Sequence, residues 1–434
     1  MVGRRPDAPF RAWTAPLWED RPMRQDLDRL MQERELAGMV VFAYDRYSPA
    51  MYYATGQKIH VGTYFRAPGR EGEGARAHLI HDPMERDQAA QVGCDHSSFP
   101  QHRLNQLIDQ EGHPARGFGR LIADGCATLG MRGRVAIFGE LAAGFAHTLL
   151  ARALEVSPAL EIDARHPDIM ALARMTKDPA EIEAIRRAAK GAVAAIERLR
   201  DFLRSLHRDG EHFRHNGSGP VALGEIRRLL QSEFLAHGLA EDGESIVSQG
   251  RDAGVPHNRG NDADLLRAGT PLLIDIFPCE AGGGYHSDLT RTFCLGKPPE
   301  ELKKLYADVH DAFHLGMEKL EIGAPCRAIQ EEVCGLFEQR GHATTRSRDG
   351  TEEGYVHGLG HGVGLSVHEA PRLGGPASNL QRLEHGMVIT VEPGLYYPSR
   401  GLGVRIEDLV LAHPDGRFEN LTPASYELEI EPEG

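Results

Sequence analysis

The sequence predicts an α/β domain over residues 1–170, followed by a second domain, residues 171–434, that mixes helices with β-rich segments. Three observations predict it. Short apolar runs alternate with helical patterns through the first 170 residues. A strong helix start stands at Asp178-Pro179-Ala180-Glu181. Beyond His257, carboxylates recur in or at the ends of β-rich stretches. A chain of 434 residues is also more than one hydrophobic core usually supports.

The elements follow in order. Leu27, Leu30 and Met31 on one side predict a helix over 23–36, and Gly38–Ala43 reads as a short buried strand. Helical patterns lie near 101–110 and 117–129, and a loop rich in glycine and charge spans Pro68–Ala75. Gly133–Gly139 is a second strand with glycine at both ends. The boundary falls near Lys177. Asp178 is an N-cap, Pro179 fits the first helical position and Glu181 reaches back as the capping-box partner. Ile182, Ile185, Ala189, Ala192, Val193, Ile196 and Leu199 then recur at helical spacing. After a loop at Arg208–Gly219, helices are predicted over Leu223–His237, Glu300–Leu320 and Arg327–Gln339. Strands are predicted over Pro271–Phe277, Leu289–Phe293, Met387–Val391 and Val404–Ile406.

Composition narrows the function classes. Sixty-three acidic residues against 49 basic ones give a formal charge of −14, which argues against nucleic acid or an anionic membrane as the main partner. Met1–Trp13 carries three arginines but no apolar run of signal-peptide length, and no later stretch is long and apolar enough to span a bilayer. The six cysteines are scattered without a Cys-x-x-Cys pair, which disfavours a disulfide framework or a thiolate zinc site. The expected compartment is the cytoplasm.

Asp275 follows Leu272-Leu273-Ile274, an apolar run that predicts a buried strand. A carboxylate there is costly unless it is paired or holds a metal. Asp288 follows thirteen residues later, beyond a glycine-rich turn at Ala281–Gly284, so a hairpin would bring both carboxylates to one side of a sheet. His357–Glu369 places His357, His361 and His368 within twelve residues among glycines at 358, 360, 362 and 364. Those glycines argue for backbone packed tightly against a site. Glu392 ends a strand against Pro393-Gly394, while Arg405 and Glu407 share one face of a strand whose other face carries Val404 and Ile406. Taken singly, each segment also reads as a turn, a glycine loop or a solvated strand face. Together, four carboxylates and one imidazole form a ligand set suited to two divalent ions.

With those blocks in that order, the chain resembles the pita-bread metallopeptidases that include creatinase, prolidase and aminopeptidase P. The resemblance rests on Asp-Leu-Thr-Arg-Thr at 288–292, His-Gly-Leu-Gly-His at 357–361, Val-Glu-Pro-Gly at 391–394 and Arg-Ile-Glu-Asp at 405–408. It implies an α/β N-terminal domain of the creatinase/prolidase type, which controls access and helps form a homodimer, and an α+β pita-bread catalytic domain. It implies that Asp275 chelates the first metal, that Asp288 and Glu407 bridge both, and that His361 and Glu392 hold the second. Manganese leads the candidate ions, with cobalt, zinc and iron as alternatives. Catalytic roles fall to His257, to His368 at the tetrahedral intermediate and to Glu392 as proton shuttle, with a metal-activated hydroxide attacking. On the substrate side His357 lines the pocket and Arg405 orients ligand carboxylates.

The implied activity is cleavage of Xaa-Pro bonds in short proline-containing peptides or dipeptides. Arg400 is a candidate reader of a free substrate carboxylate. The alternatives are a creatinase-type amidinohydrolase, a metal-dependent lyase and a non-catalytic pita-bread binding module. The retained ligands argue against the metal-free enzyme and against the binding module. Three departures from the family pattern stand out: a gap from Asp275 to Asp288 two residues longer than usual and Asp275-Ile276-Phe277-Pro278 in place of Asp-x-Gly, which bear on the pocket floor, and Ser366 where aspartate is common. The longer gap keeps face parity, because the side-chain period is two.

Overall fold

Met39, Val41 and Ala43 belong to one apolar cluster and Val40 and Phe42 to another, the alternation expected of a strand buried on both faces. This strand, β1 (Gly38–Ala43), lies inside a six-stranded sheet of the computed structural model. With β2 (Gly62–Ala67), β3 (Arg76–His81), β4 (Asp95–Ser98), β5 (Gly133–Phe138) and β6 (Leu160–Ile162), the order is β4-β3-β2-β1-β5-β6. β1 runs parallel to β5 and antiparallel to β2. Helices Pro114–Thr128 and Ala143–Val156 pack on the Phe42 side through Phe118, Leu121 and Leu149.

The structure describes residues 25–69, 74–215, 217, 219–241 and 243–433. The reading of Met1–Trp13 lies outside these residues, as does part of the Pro68–Ala75 loop. The helix expected over 23–36 is described over Gln25–Glu33. The pattern near 101–110 gives helix Leu104–Glu111, and that near 117–129 gives Pro114–Thr128, which begins three residues early at a proline in the first turn.

The helix start at Asp178 forms as its residues dictate. Asp178 accepts the Glu181 backbone N–H at 2.9 Å, Glu181 accepts that of Asp178 at 2.8 Å, and the helix runs Pro179–Arg204. Its apolar stripe (Ala188, Ala192, Ile196, Leu199) joins helix Leu223–Ala236 over one face of a four-stranded sheet. That sheet orders Ile246–Gln249, Leu272–Ile276, Leu289–Leu295 and Glu429–Ile430. A five-stranded sheet orders Glu369–Leu373, Gly360–Gly362, Val388–Val391, Asp408–Ala412 and Phe418–Asn420. Helices Glu300–Glu318 and Cys326–Gln339 pack with Ile389, Val391 and Val410 of this second sheet.

The expected hairpin between the two aspartates is more elaborate than a turn. Leu272–Ile276 pairs antiparallel with Leu289–Leu295, Asp275 opposite Thr290. The connection carries a further strand, Pro278–Glu280, which pairs with the distant Leu239–Glu241. Among the described residues no helix is long and apolar enough to cross a membrane.

Candidate metal centre

Strand parity decides which side chains face the site. Leu272, Ile274 and Ile276 point into the helix-covered core, so Asp275 points the other way. Thr290 sits opposite it, and Asp288, two residues earlier, shares that face. Ile389 and Val391 likewise enter the helix side of the second sheet, leaving Thr390 and Glu392 on the site side. Glycine lets the two parts close up: a Cβ at Gly360 would stand 2.0 Å from the Thr390 carbonyl oxygen, and one at Gly362 would stand 2.2 Å from that of Ala370.

Asp288, His361 and Glu407 each offer a ligand atom within 4.8 Å of the others, and all three are buried. His361 Nε2 lies 3.2 Å from Glu392 Oε1 and 3.7 Å from Asp288 Oδ2. Asp275 is near enough for its charge to act on Asp288 and Glu407, and Arg405 holds its Oδ2. Its buried Oδ1 has no hydrogen-bond partner among the described residues. Thr290 donates to Glu407 Oε2 at 2.6 Å, and Thr390 Oγ1 accepts the His361 backbone N–H at 3.1 Å.

The charges do not balance within the protein. Burial, then the charges of Glu407, Asp275 and Glu392, push the Asp288 carboxyl well above the usual carboxylate range. Burial, then Glu392 and Asp275, do the same to Glu407. Burial also pushes Glu392 upward, but the hydrogen bond and charge of His361, with His357 and Arg405, outweigh it and hold the group at about 2. A buried carboxylate oxygen without a hydrogen-bond partner among the described residues, and two carboxyls whose burial and mutual repulsion outweigh the charge of Arg405, are what a divalent cation would resolve, so the residues fit one.

The other expected residues take distinct places. His368 packs edge-on against His361, ring centroids 4.4 Å apart, and burial followed by the charge of His361 lowers it to about 4. His357 Nε2 lies 2.8 Å from the Tyr396 hydroxyl, and burial lowers its pKa. His257 is exposed, and its charge reaches both His357 and His368. Arg405 is only 3% exposed, and it donates to Asp275, to Thr290 at 3.1 Å and to the Tyr396 hydroxyl at 2.9 Å. That supports a role in orienting carboxylates and leaves little of the guanidinium for a substrate. Arg400 lies apart from this group, on Glu301 and over the Tyr397 ring.

Thr290, Thr390 and Tyr396 are site residues that the sequence reading missed. Parity with Asp288 and Glu392 would have found the two threonines; nothing local marks Tyr396. Also missed is the clamp behind His368: Glu369 is held by Arg174 and, at 3.2 Å, by Lys177, and Arg174 also donates to Ser366 at 2.9 Å.

The profile of metallopeptidase family M24 matches residues 183–414. The chain therefore belongs to that family, and its second half has the pita-bread fold. A probable dipeptidase PepE of Mycobacterium tuberculosis is 31% identical over 283 residues, 65% of this chain and 66% of that protein. An Xaa-Pro dipeptidase of Pyrococcus furiosus is 29% identical over 265 residues, 60% of this chain and 67% of that one. These alignments span about two thirds of the relatives' lengths. The structure of an Xaa-Pro dipeptidase from Bacillus anthracis superposes with a TM-score of 0.74 at 24% identity, covering 94% of this chain and all of that one, a likeness of fold.

Proposed function

We propose that this chain is a dinuclear, metal-dependent peptidase that cleaves Xaa-Pro bonds at the N-terminus of short peptides or in dipeptides. The observation that carries the reading is the convergence of Asp275, Asp288, His361, Glu392 and Glu407 on one buried cluster. Asp288 and Glu407, whose mutual repulsion the charge of Arg405 does not offset, would be shared by two ions; Asp275 would help hold one and His361 with Glu392 the other. Bound divalent ions, with manganese favoured, supply Lewis acidity that acidifies water and polarises a carbonyl.

The protein's own groups do the rest. Glu392, ionised at neutral pH, accepts the proton of the attacking water and passes it to the leaving nitrogen. His368, neutral at that pH, presents an N–H to the carbonyl oxygen as charge develops there. His357, fixed by Tyr396, walls the substrate pocket, with His257 at its rim. Arg405 fixes the Asp275 carboxylate. We assign residues 1–170 to a domain that narrows access so that only a short peptide end enters, and we assign the functional unit to a homodimer.

The test is a panel of Xaa-Pro and Xaa-Ala dipeptides and longer peptides, assayed on stripped protein with each metal restored. Metal-dependent hydrolysis confined to Xaa-Pro substrates is expected. Turnover in stripped protein, or indifference to proline, would overturn the proposal.

A further inference from the structure

Helix Glu300–Glu318 carries the segment His310-Asp311-Ala312-Phe313-His314, in which Ala312 and Phe313 are buried while Asp311 and His314 are exposed and His310 is half-buried. Four residues apart on a helix, the two imidazoles project to the same side. Their Nε2 atoms lie 3.2 Å apart. Two nitrogens each about 2.0–2.1 Å from one ion, at an angle of roughly 100°, are separated by that same distance. One imidazole N–H is now shared with the other's lone pair, and an ion displacing that proton would find the two nitrogens at chelating distance.

The rings are also held in place. His310 stacks on Tyr306, centroids 6.3 Å apart, and meets the edge of Tyr426 at 5.8 Å. His314 packs on Phe313 at 5.7 Å and on Tyr426 at 6.4 Å. Burial, followed by the charge of His314, lowers the pKa of His310, so its nitrogen lone pair is available at neutral pH. Beside His310 opens a surface cavity of about 420 Å³, lined also by Tyr306, Asp311 and Tyr426, with room for water to complete a coordination shell.

We infer that His310 and His314 bind one borderline divalent ion, such as zinc, at a site separate from the peptidase centre. Two neutral imidazoles select such ions over magnesium or calcium. Asp311 occupies the position that a catalytic glutamate holds in His-Glu-x-x-His helices, but it is bound to Arg340 at 2.7 Å. The site is therefore one of binding, not a second hydrolytic centre.

The experiment loads the full chain with manganese, dialyses it against zinc, and counts both metals in wild type, His310→Asn, His314→Asn and Asp311→Ala. Wild type and Asp311→Ala should hold one more zinc than either histidine variant, at equal manganese. Competition with a chromophoric chelator should show zinc at least tenfold weaker at this site in either histidine variant. His314 is exposed, so His314→Asn should fold; circular dichroism checks it. Equal zinc content and affinity in all four proteins would overturn the assignment, as would zinc lost with Asp311 and kept without His314.

Discussion

Glu407 and Asp408 are neighbours in the chain, both are buried carboxylates, and they meet opposite fates. Asp408 points to the side where Arg291 donates at 2.7 Å, Asn420 at 2.7 Å, Thr422 at 3.2 Å and Tyr426 adds its hydroxyl. Glu407 points to the other side, where the Thr290 hydroxyl donates to it and the charges of Glu392 and Asp275 act on it more strongly than that of Arg405. Burial raises both, but only Glu407 is driven well above the normal range, because like charges add to its burial. A buried acid that the chain itself satisfies is part of the architecture; one left facing its own kind is prepared for a cation from outside. Glu181 shows a third solution. Held by the Asp178 N–H and the Tyr285 hydroxyl, it is pushed up to about 8 by burial, and so keeps its proton at neutral pH.

This contrast can be broken experimentally. The largest effect should come from Asp288→Ala or Glu407→Ala, which should abolish metal retention and peptidase turnover while leaving the fold intact by circular dichroism. Asp408→Ala should do the reverse, costing about 3–5 kcal/mol of stability in denaturant titration by stranding Arg291 in the core, while the folded fraction still binds metal. Arg405→Lys, which loses the fork that reaches Asp275, Thr290 and Tyr396 together, should weaken metal affinity or activity by about 10–100-fold.

The smallest and most specific effect concerns Glu181. Its folded pKa of about 8 lies above the ~4.3 of an unfolded glutamate. Its contribution to stability is thus fully present below about pH 4 and is lost as pH rises through 8, by at most about 1.4 kcal/mol per pH unit. Glu181→Gln should flatten that part of the stability profile in thermal melts. An unchanged slope in the variant would show that Glu181 is already ionised.

Much of this organisation was legible because it is written in local periodicity. Asp275 stood out as a charge at the end of an apolar strand, and the capping box at Asp178 is contained in four residues. Parity put Arg405 and Glu407 on one face. What stayed hidden depends on distant partners. Strand Pro278–Glu280 exists because Leu239–Glu241 lies beside it. β4, with the sequence Asp-His-Ser-Ser, carries no apolar alternation and forms as an edge strand along β3. The opposite orientations of Glu407 and Asp408 follow from alternation, but that one side holds an arginine and the other more acids appears only when Arg291 and Thr290 arrive from another strand.

A single apolar cluster contains Met39, Val41 and Tyr53 from the first sheet's side together with Ile182, Val363, Leu365, Leu409 and Leu411 from the second half. Severing the chain near residue 175 would therefore strip the isolated C-terminal fragment of its covering, leaving an oily surface next to the loop that carries His368. Such a fragment is expected to precipitate, and the intact chain to melt in one cooperative step rather than two.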